Sequence, residues 1–178
     1  MREKRPAVFL DRDGVLVEER GYVLSVNELN IFPYAEECVR KMKERNYYAI
    51  VITNQSGIAR GFFSEQVLKE VNTYLIEKTG IDGIYYCPHH PKGKVQAYSR
   101  FCHCRKPGIG LLEMACETFS IDLKNSYMVG DRASDIRTGQ NAGIKTVLLE
   151  SGYGTARLEE TVKPDYIFQD LKEFIKIL

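Results

Sequence analysis

A chain of 178 residues, 44% of them apolar, can bury one ordinary hydrophobic core but is short for several. Its formal net charge of +1 gives no field that favours nucleic acid or an anionic membrane. No run approaches the roughly 18 apolar residues of a spanning helix. The N-terminal apolar stretch is too short for a signal peptide, and acidic residues cut it off.

The first element in chain order is the run Ala7-Val8-Phe9-Leu10, which reads as a buried strand. An amphipathic stretch from Ala35 to Arg45 follows, with Val39 and Met42 on one face. Tyr48-Ala49-Ile50-Val51-Ile52 reads as a second buried strand ending in Thr53-Asn54. Ser64 is placed to cap a helix that runs through Lys78 and stops at Gly80. Gly83-Ile84-Tyr85-Tyr86 is a third strand, and Pro107 suits the first position of a helix reaching about Phe119. Ser126-Tyr127-Met128-Val129 and Thr146-Val147-Leu148-Leu149 are further strands, with a short helix near Ile136 between them. Tyr166-Ile167-Phe168 and a final helix to Leu178 close the chain. Strands alternating with helices predict an α/β fold, a doubly wound parallel sheet covered on both faces, as a single domain over residues 1–178.

Acidic residues stand where strands end. Strand alternation sends Asp11 and Asp13 off the end of the first strand as a pair, where ligands of open α/β sheets sit. Such a pair repels itself unless a cation or a shared proton lies between. A carboxylate ionised at neutral pH attacks phosphorus without an activating base, which suits Asp11 as nucleophile. Asp13 can give a proton to the leaving oxygen and take one from the attacking water. Thr53 and Asn54 end the second strand with a hydroxyl and an amide able to hold phosphoryl oxygens. Lys106 supplies a cation just before a helix start. Asp131, with Asp135 four residues on, offers the hard oxygens that suit Mg²⁺. Each feature alone fits an ordinary turn or cap; their conjunction points to phosphoryl chemistry.

Five cysteines without a secretory signal point to metal or thiol chemistry in a reducing compartment, hence the cytoplasm. Three of them, with all three histidines, crowd the polar stretch 87–104. Cys87, His89, Cys102 and Cys104 make a Cys₃His set for a closed structural Zn²⁺ site, and the alternation within each pair turns both ligands the same way. His90 and His103 are rival ligands. Cys38 and Cys116 read as core thiols.

Leu10-Asp11-Arg12-Asp13-Gly14, Ile52-Thr53-Asn54, Lys106 and Val129-Gly130-Asp131-Arg132-Ala133-Ser134-Asp135 together resemble the four motifs of the haloacid dehalogenase (HAD) superfamily, in order and across most of the chain. The resemblance implies that Asp11 is the nucleophile and Asp13 the acid/base. It implies that Thr53 and Lys106 stabilise the transferring phosphoryl group. Asp11, the carbonyl of Asp13 and Asp131 would hold Mg²⁺, with Asp135 as a ligand or close by. Only residues 15–33 follow the first motif, so no cap domain is expected there. The zinc loop, with Cys87-Pro88-His89-His90-Pro91 and Cys102-His103-Cys104-Arg105-Lys106-Pro107, is similar to that of the D-glycero-D-manno-heptose 1,7-bisphosphate 7-phosphatase family, a capless group related to histidinol-phosphate phosphatases.

Thr53 to Gly61 and the Glu19-Arg20-Gly21-Tyr22-Val23 segment resemble the heptose type rather than the histidinol type. That likeness implies Mg²⁺-dependent removal of the C7 phosphate from a small sugar bisphosphate by a monomer that binds neither nucleic acid nor membrane. Glu19, Arg20, Gly21, Tyr22, Asn54, Gln55, Ser56, Arg105 and Arg132 would line the substrate site. Arg105 would read a second phosphate with its planar fork. Arg132 stands where a Lys is expected. The alternatives are a histidinol-phosphate phosphatase, a zinc-stabilised interaction module without catalysis, and a DNA-end phosphatase, which would need an electropositive groove.

Overall fold

The run Ala7–Leu10 forms β1, a strand buried along its whole length in the computed structural model, which describes residues 4–178. Runs rich in β-branched and aromatic residues make the other strands: β2 (Tyr48–Asn54), β3 (Gly83–Cys87), β4 (Tyr127–Gly130), β5 (Lys145–Leu149) and β6 (Tyr166–Phe168). All pair in parallel, in the order β3-β2-β1-β4-β5-β6. The chain winds outward from β1 to β3, then returns to the other side of β1 to begin β4. The switch point therefore lies between the C-terminal ends of β1 and β4, where doubly wound sheets open a crevice. Register brings the predicted residues there. Leu10 pairs with both Val51 and Val129, so Asp11, Thr53 and Asp131 emerge side by side.

Strand alternation divides the core in two. Val8, Leu10, Val51, Val129 and Leu149 face one layer, covered by α1 (Ala35–Glu44), α3 (Glu65–Thr79) and α6 (Leu171–Ile175). Ala7, Phe9, Ile50, Ile52 and Met128 face the other, covered by α4 (Gly110–Thr118). On α5 (Ala133–Ala142), Ile136 packs with Leu148 and Val162. Phe9 is fully buried between β2, β4 and α4. Phe9→Ala is expected to cost about 3–5 kcal/mol, read as a lowered urea midpoint at unchanged slope.

Ser64 caps α3 as expected, its hydroxyl accepting from Val67 N–H at 3.3 Å, and Gly80 ends the helix at φ 71°. A short α2 (Gly57–Arg60), too brief to leave a periodic signal, follows β2. The helix expected at Pro107 begins instead at Gly110. Before it, Gly108 N–H donates to Arg105 C=O at 2.7 Å and Gly110 N–H to His103 C=O at 3.2 Å, a turn folded against the Cys/His segment. A Cβ at Gly108 would lie 2.2 Å from the His103 oxygen, so only glycine allows this close pass. The last helix stops at Ile175, short of Leu178. The long connections after β1 and β3 hold no cap domain. Among the described residues no helix is long and apolar enough to cross a membrane.

Candidate active site

Asp11 leaves β1 still tied to the sheet, its N–H donating to Val129 C=O at 2.9 Å. Its Oδ1 accepts from Arg12 N–H at 2.8 Å and pairs with Lys106 Nζ at 3.0 Å, while Oδ2 takes no hydrogen bond among the described residues. Gly14 turns the chain at φ +81°, and a Cβ there would lie 2.4 Å from Asp131 Oδ2. Any side chain at that position would displace the carboxylate. Asp13 is held by three N–H groups: Arg12 Nε at 3.1 Å and Gln55 Nε2 at 3.0 Å on Oδ2, and Arg12 Nη2 at 3.0 Å on Oδ1. Gln55 also donates to Thr53 Oγ1 at 3.0 Å, linking the ends of β1 and β2.

Lys106 is buried and fully committed. Its Nζ lies 3.0 Å from Asp11 Oδ1, 2.6 Å from Asp135 Oδ1 and 3.1 Å from Ile52 C=O. Burial alone would lower its pKa, but Asp11 and Asp135 outweigh burial and raise it. Asn54 fixes its backbone reciprocally: Lys106 N–H donates to Asn54 Oδ1 at 3.0 Å, and Asn54 Nδ2 donates to Lys106 C=O at 3.2 Å.

Asp131 accepts Tyr153 N–H on Oδ2 at 2.9 Å, but its buried Oδ1 has no hydrogen-bond partner among the described residues. Burial, then the charges of Asp11 and Asp135, push its pKa up to about 8. Asp135 rises to about 6, burial outweighing the pull of Lys106. Asp135 Oδ2 also accepts Arg132 N–H at 3.0 Å at the start of α5. Asp11, Asp131 and Asp135 each bring an oxygen within 4.8 Å of the others. Three clustered carboxylates, two of them paired with one ammonium and the third holding an orphaned buried oxygen, form a donor set that fits a hard divalent cation.

These groups floor a cavity of about 360 Å³ lined by Asp11, Asp13, Glu19, Gly21, Tyr22, Thr53, Asn54, Gln55, Ser56, Arg105, Lys106, Arg132, Ser134 and Tyr153. Every substrate residue expected from the sequence lines it except Arg20. That guanidinium pairs with Glu18 at 2.8 Å and borders the neighbouring depression instead, because a carboxylate two residues away captures it. Arg60 is likewise turned away, onto His90 Nε2 at 3.2 Å. Arg132 bonds Glu19 at 2.5 Å and lies 4.3 Å over the Tyr153 ring, as does Arg157. Ser134 and Tyr153 were not expected. Ser134 sits inside the Asp131–Asp135 motif and Tyr153 in the glycine-flanked turn after β5, so strand-end position was the available signal.

The second cluster forms around Cys87, which ends β3 opposite Asn54. Cys87 Sγ lies 3.5 Å from Cys102 Sγ and 3.7 Å from His89 Nδ1, and Cys104 Sγ lies 3.4 Å from both. Zn–S bonds of about 2.3 Å in a tetrahedron put sulfurs about 3.8 Å apart, so the four atoms fit a Zn²⁺ ion. Burial, then Arg100, lowers the His89 pKa, which keeps the imidazole in its neutral, ligating form. Burial raises the Cys87 and Cys104 thiols, so a cation binding there displaces protons. The rival histidines are occupied elsewhere: His90 Nδ1 accepts from Lys92 N–H at 3.1 Å, and His103 Nε2 meets Glu113 at 2.7 Å. Cys38 is a core thiol as expected, whereas Cys116 is half-buried beside an apolar groove.

A family model described as HAD-hydrolase-like matches residues 103–174. The chain is 37% identical to the D-glycero-β-D-manno-heptose-1,7-bisphosphate 7-phosphatase of Haemophilus ducreyi, covering 96% of this chain and 97% of the relative. It is 40% identical to the D-glycero-α-D-manno-heptose-1,7-bisphosphate 7-phosphatase of Photorhabdus laumondii, covering 88% and 89%. Among solved structures, the D,D-heptose 1,7-bisphosphate phosphatase of B. bronchiseptica, complexed with magnesium and phosphate, superposes with a TM-score of 0.80 at 26% identity, covering 97% of each chain. With four motifs meeting at one switch point and relatives this similar along nearly their whole length, the chain belongs to the D-glycero-D-manno-heptose-1,7-bisphosphate 7-phosphatase family of HAD-like hydrolases.

Proposed function

We propose that this chain, acting as one cytoplasmic domain, removes the C7 phosphate of D-glycero-D-manno-heptose 1,7-bisphosphate through a phosphoaspartate on Asp11. The observation that carries the reading is the buried Asp11–Lys106–Asp135 chain beside Asp131, at the floor of an open polar cavity. With Oδ1 fixed by Arg12 N–H and Lys106, Oδ2 is the oxygen left to attack phosphorus. As that bond forms, the bond from phosphorus to the C7 oxygen breaks, and Asp13 hands its proton to the departing oxygen. Asp13 then takes a proton from water, which attacks the acyl phosphate, releases inorganic phosphate and restores Asp11. The Thr53 hydroxyl holds a phosphoryl oxygen through both steps, and the Lys106 ammonium, seated against Asp11, stabilises the developing charge by its proximity.

Asp11, the Asp13 carbonyl and Asp131, with Asp135 beside them, would hold Mg²⁺, which when bound supplies positive charge to the phosphoryl oxygens. Cys87, His89, Cys102 and Cys104 would hold Zn²⁺, which supplies loop rigidity and no open coordination position.

The rim supports a bisphosphate. Among the described residues Arg105 has only Nη1 engaged, on His89 C=O at 3.2 Å, which leaves most of its fork for a second phosphate. Histidinol phosphate would instead bring an amine toward Arg105 and Arg132. The expected kcat/KM for the heptose bisphosphate is at least about tenfold above that for histidinol phosphate, roughly 1.4 kcal/mol in transition-state binding. Arg105→Ala should narrow the gap by penalising the bisphosphate. Phosphate release across both substrates and common sugar phosphates checks this, and equal turnover of histidinol phosphate would move the assignment to the sister family.

A further inference from the structure

We infer that Arg12 is a positioning residue for Asp13, fixing the carboxylate in one rotamer through a two-point clamp and selecting Oδ1 as the oxygen that carries the transferred proton. Arg12 is the largest side chain fully buried among the described residues, at 1% exposure. Among the described residues its guanidinium donates only to its neighbour, Nε to Asp13 Oδ2 at 3.1 Å and Nη2 to Oδ1 at 3.0 Å. Nη1 is buried with no partner.

Stability does not account for such a residue. A buried ion pair often contributes no more than well-packed apolar side chains of similar volume, and an unsatisfied buried N–H group carries a further cost. Successive side chains of an extended strand diverge, but here the chain leaves β1 and turns at Gly14, which brings residues 12 and 13 face to face.

The donor count on Asp13 is unequal. Oδ2 receives Arg12 Nε and Gln55 Nε2, which fill its two lone-pair directions. Oδ1 receives Arg12 Nη2 alone, so one direction stays open for a proton. Removing Arg12 would free the carboxylate to rotate and leave it on the single Gln55 contact.

The inference rests on Asp13 as the acid/base, and leaving-group dependence separates the two ideas. Arg12→Met, Arg12→Lys and Asp13→Asn would be assayed on the heptose bisphosphate, whose alkoxide must be protonated, and on p-nitrophenyl phosphate, whose phenolate leaves unaided. Arg12→Met should lower kcat on the bisphosphate about a hundredfold, at least about tenfold more than on the aryl ester, with KM little changed and the protein still folded. Arg12→Lys, a cation that cannot bridge both oxygens, should show the same pattern at smaller size. Equal losses on both substrates, or none, would overturn the clamp, as would failure of both Arg12 variants to fold. If Asp13→Asn itself shows no leaving-group dependence, the acid/base role falls; if Asp13→Asn shows it and Arg12→Met does not, only the clamp falls.

Discussion

Asp11→Asn is expected to lower phosphate release by at least about a thousandfold while leaving the fold intact. The amide keeps the size and the hydrogen-bonding oxygen but removes the anion that attacks phosphorus. The position is buried, yet its charge is not what holds the core: the ionised carboxylate repels Asp131 and Asp135 and raises both of their pKa values. Asparagine relieves that repulsion and leaves Lys106 paired with Asp135 at 2.6 Å. The metal-free variant should therefore melt no more than a few degrees below the parent. Single-turnover assays and thermal melts measure the two halves separately, and retention of more than about a tenth of parental turnover would refute the phosphoaspartate route.

The second large effect is metal removal, and the two clusters should answer it differently. Treatment with EDTA and gel filtration should abolish activity, with Mg²⁺ restoring it, because an oxygen site that keeps waters exchanges readily. Zn²⁺ should stay with the protein through the same mild treatment, held by a closed thiolate set. Elemental analysis after each step reads both outcomes; protein expressed with ample metal yet free of zinc would end the structural-zinc reading. The pH dependence has a definite sign. Without the ion, burial and neighbouring charge keep Asp135 protonated to about pH 6 and Asp131 to about pH 8. The ion must displace those protons, so Mg²⁺ affinity should climb as pH rises from about 6 to about 8 and level off above. Both raised pKa values also mean that the metal-free protein loses stability as pH climbs from the ordinary carboxylate value of 3.8, the loss ending at about pH 6 for Asp135 and about pH 8 for Asp131. Cys102→Ser should loosen residues 88–105 and lower the melting temperature, with turnover falling only in consequence.

Much of this was readable in advance because the physics was local. Ala7–Leu10 and Tyr48–Asn54 declare themselves as strands by unbroken apolar runs, and parallel register then places Asp11, Thr53 and Asp131 together. Cys87, His89, Cys102 and Cys104 meet because an alternating pair turns both ligands one way. What sequence concealed was decided by competition among side chains. Arg20 had a substrate role in the motif but found Glu18 nearer. Arg12 had no assigned role in the motif and is the largest fully buried side chain among the described residues. Tyr153 reaches the cavity only because Gly152 passes Asp131 so closely that a Cβ there would lie 2.1 Å from its oxygen. Pro107 has the chemistry of a helix start, but the backbone packing of His103 and Cys104 delays the helix to Gly110.

The reciprocal amide pair between Asn54 and Lys106 also bears on how the enzyme fails. The Cys/His excursion departs at Cys87, opposite Asn54 in the sheet, and returns at Cys104, two residues before Lys106. Both ends of the loop are thus pinned beside the same strand end, once by the Cys/His cluster and once by the Asn54 amide. A long loop closed at two points loses little more entropy when the ammonium is placed; opened at one, it must bear the closure cost each time Lys106 is seated. The splint ages as a unit with the chemistry, so slow oxidation of its thiols in storage should silence the enzyme while the sheet, viewed by circular dichroism, still looks young.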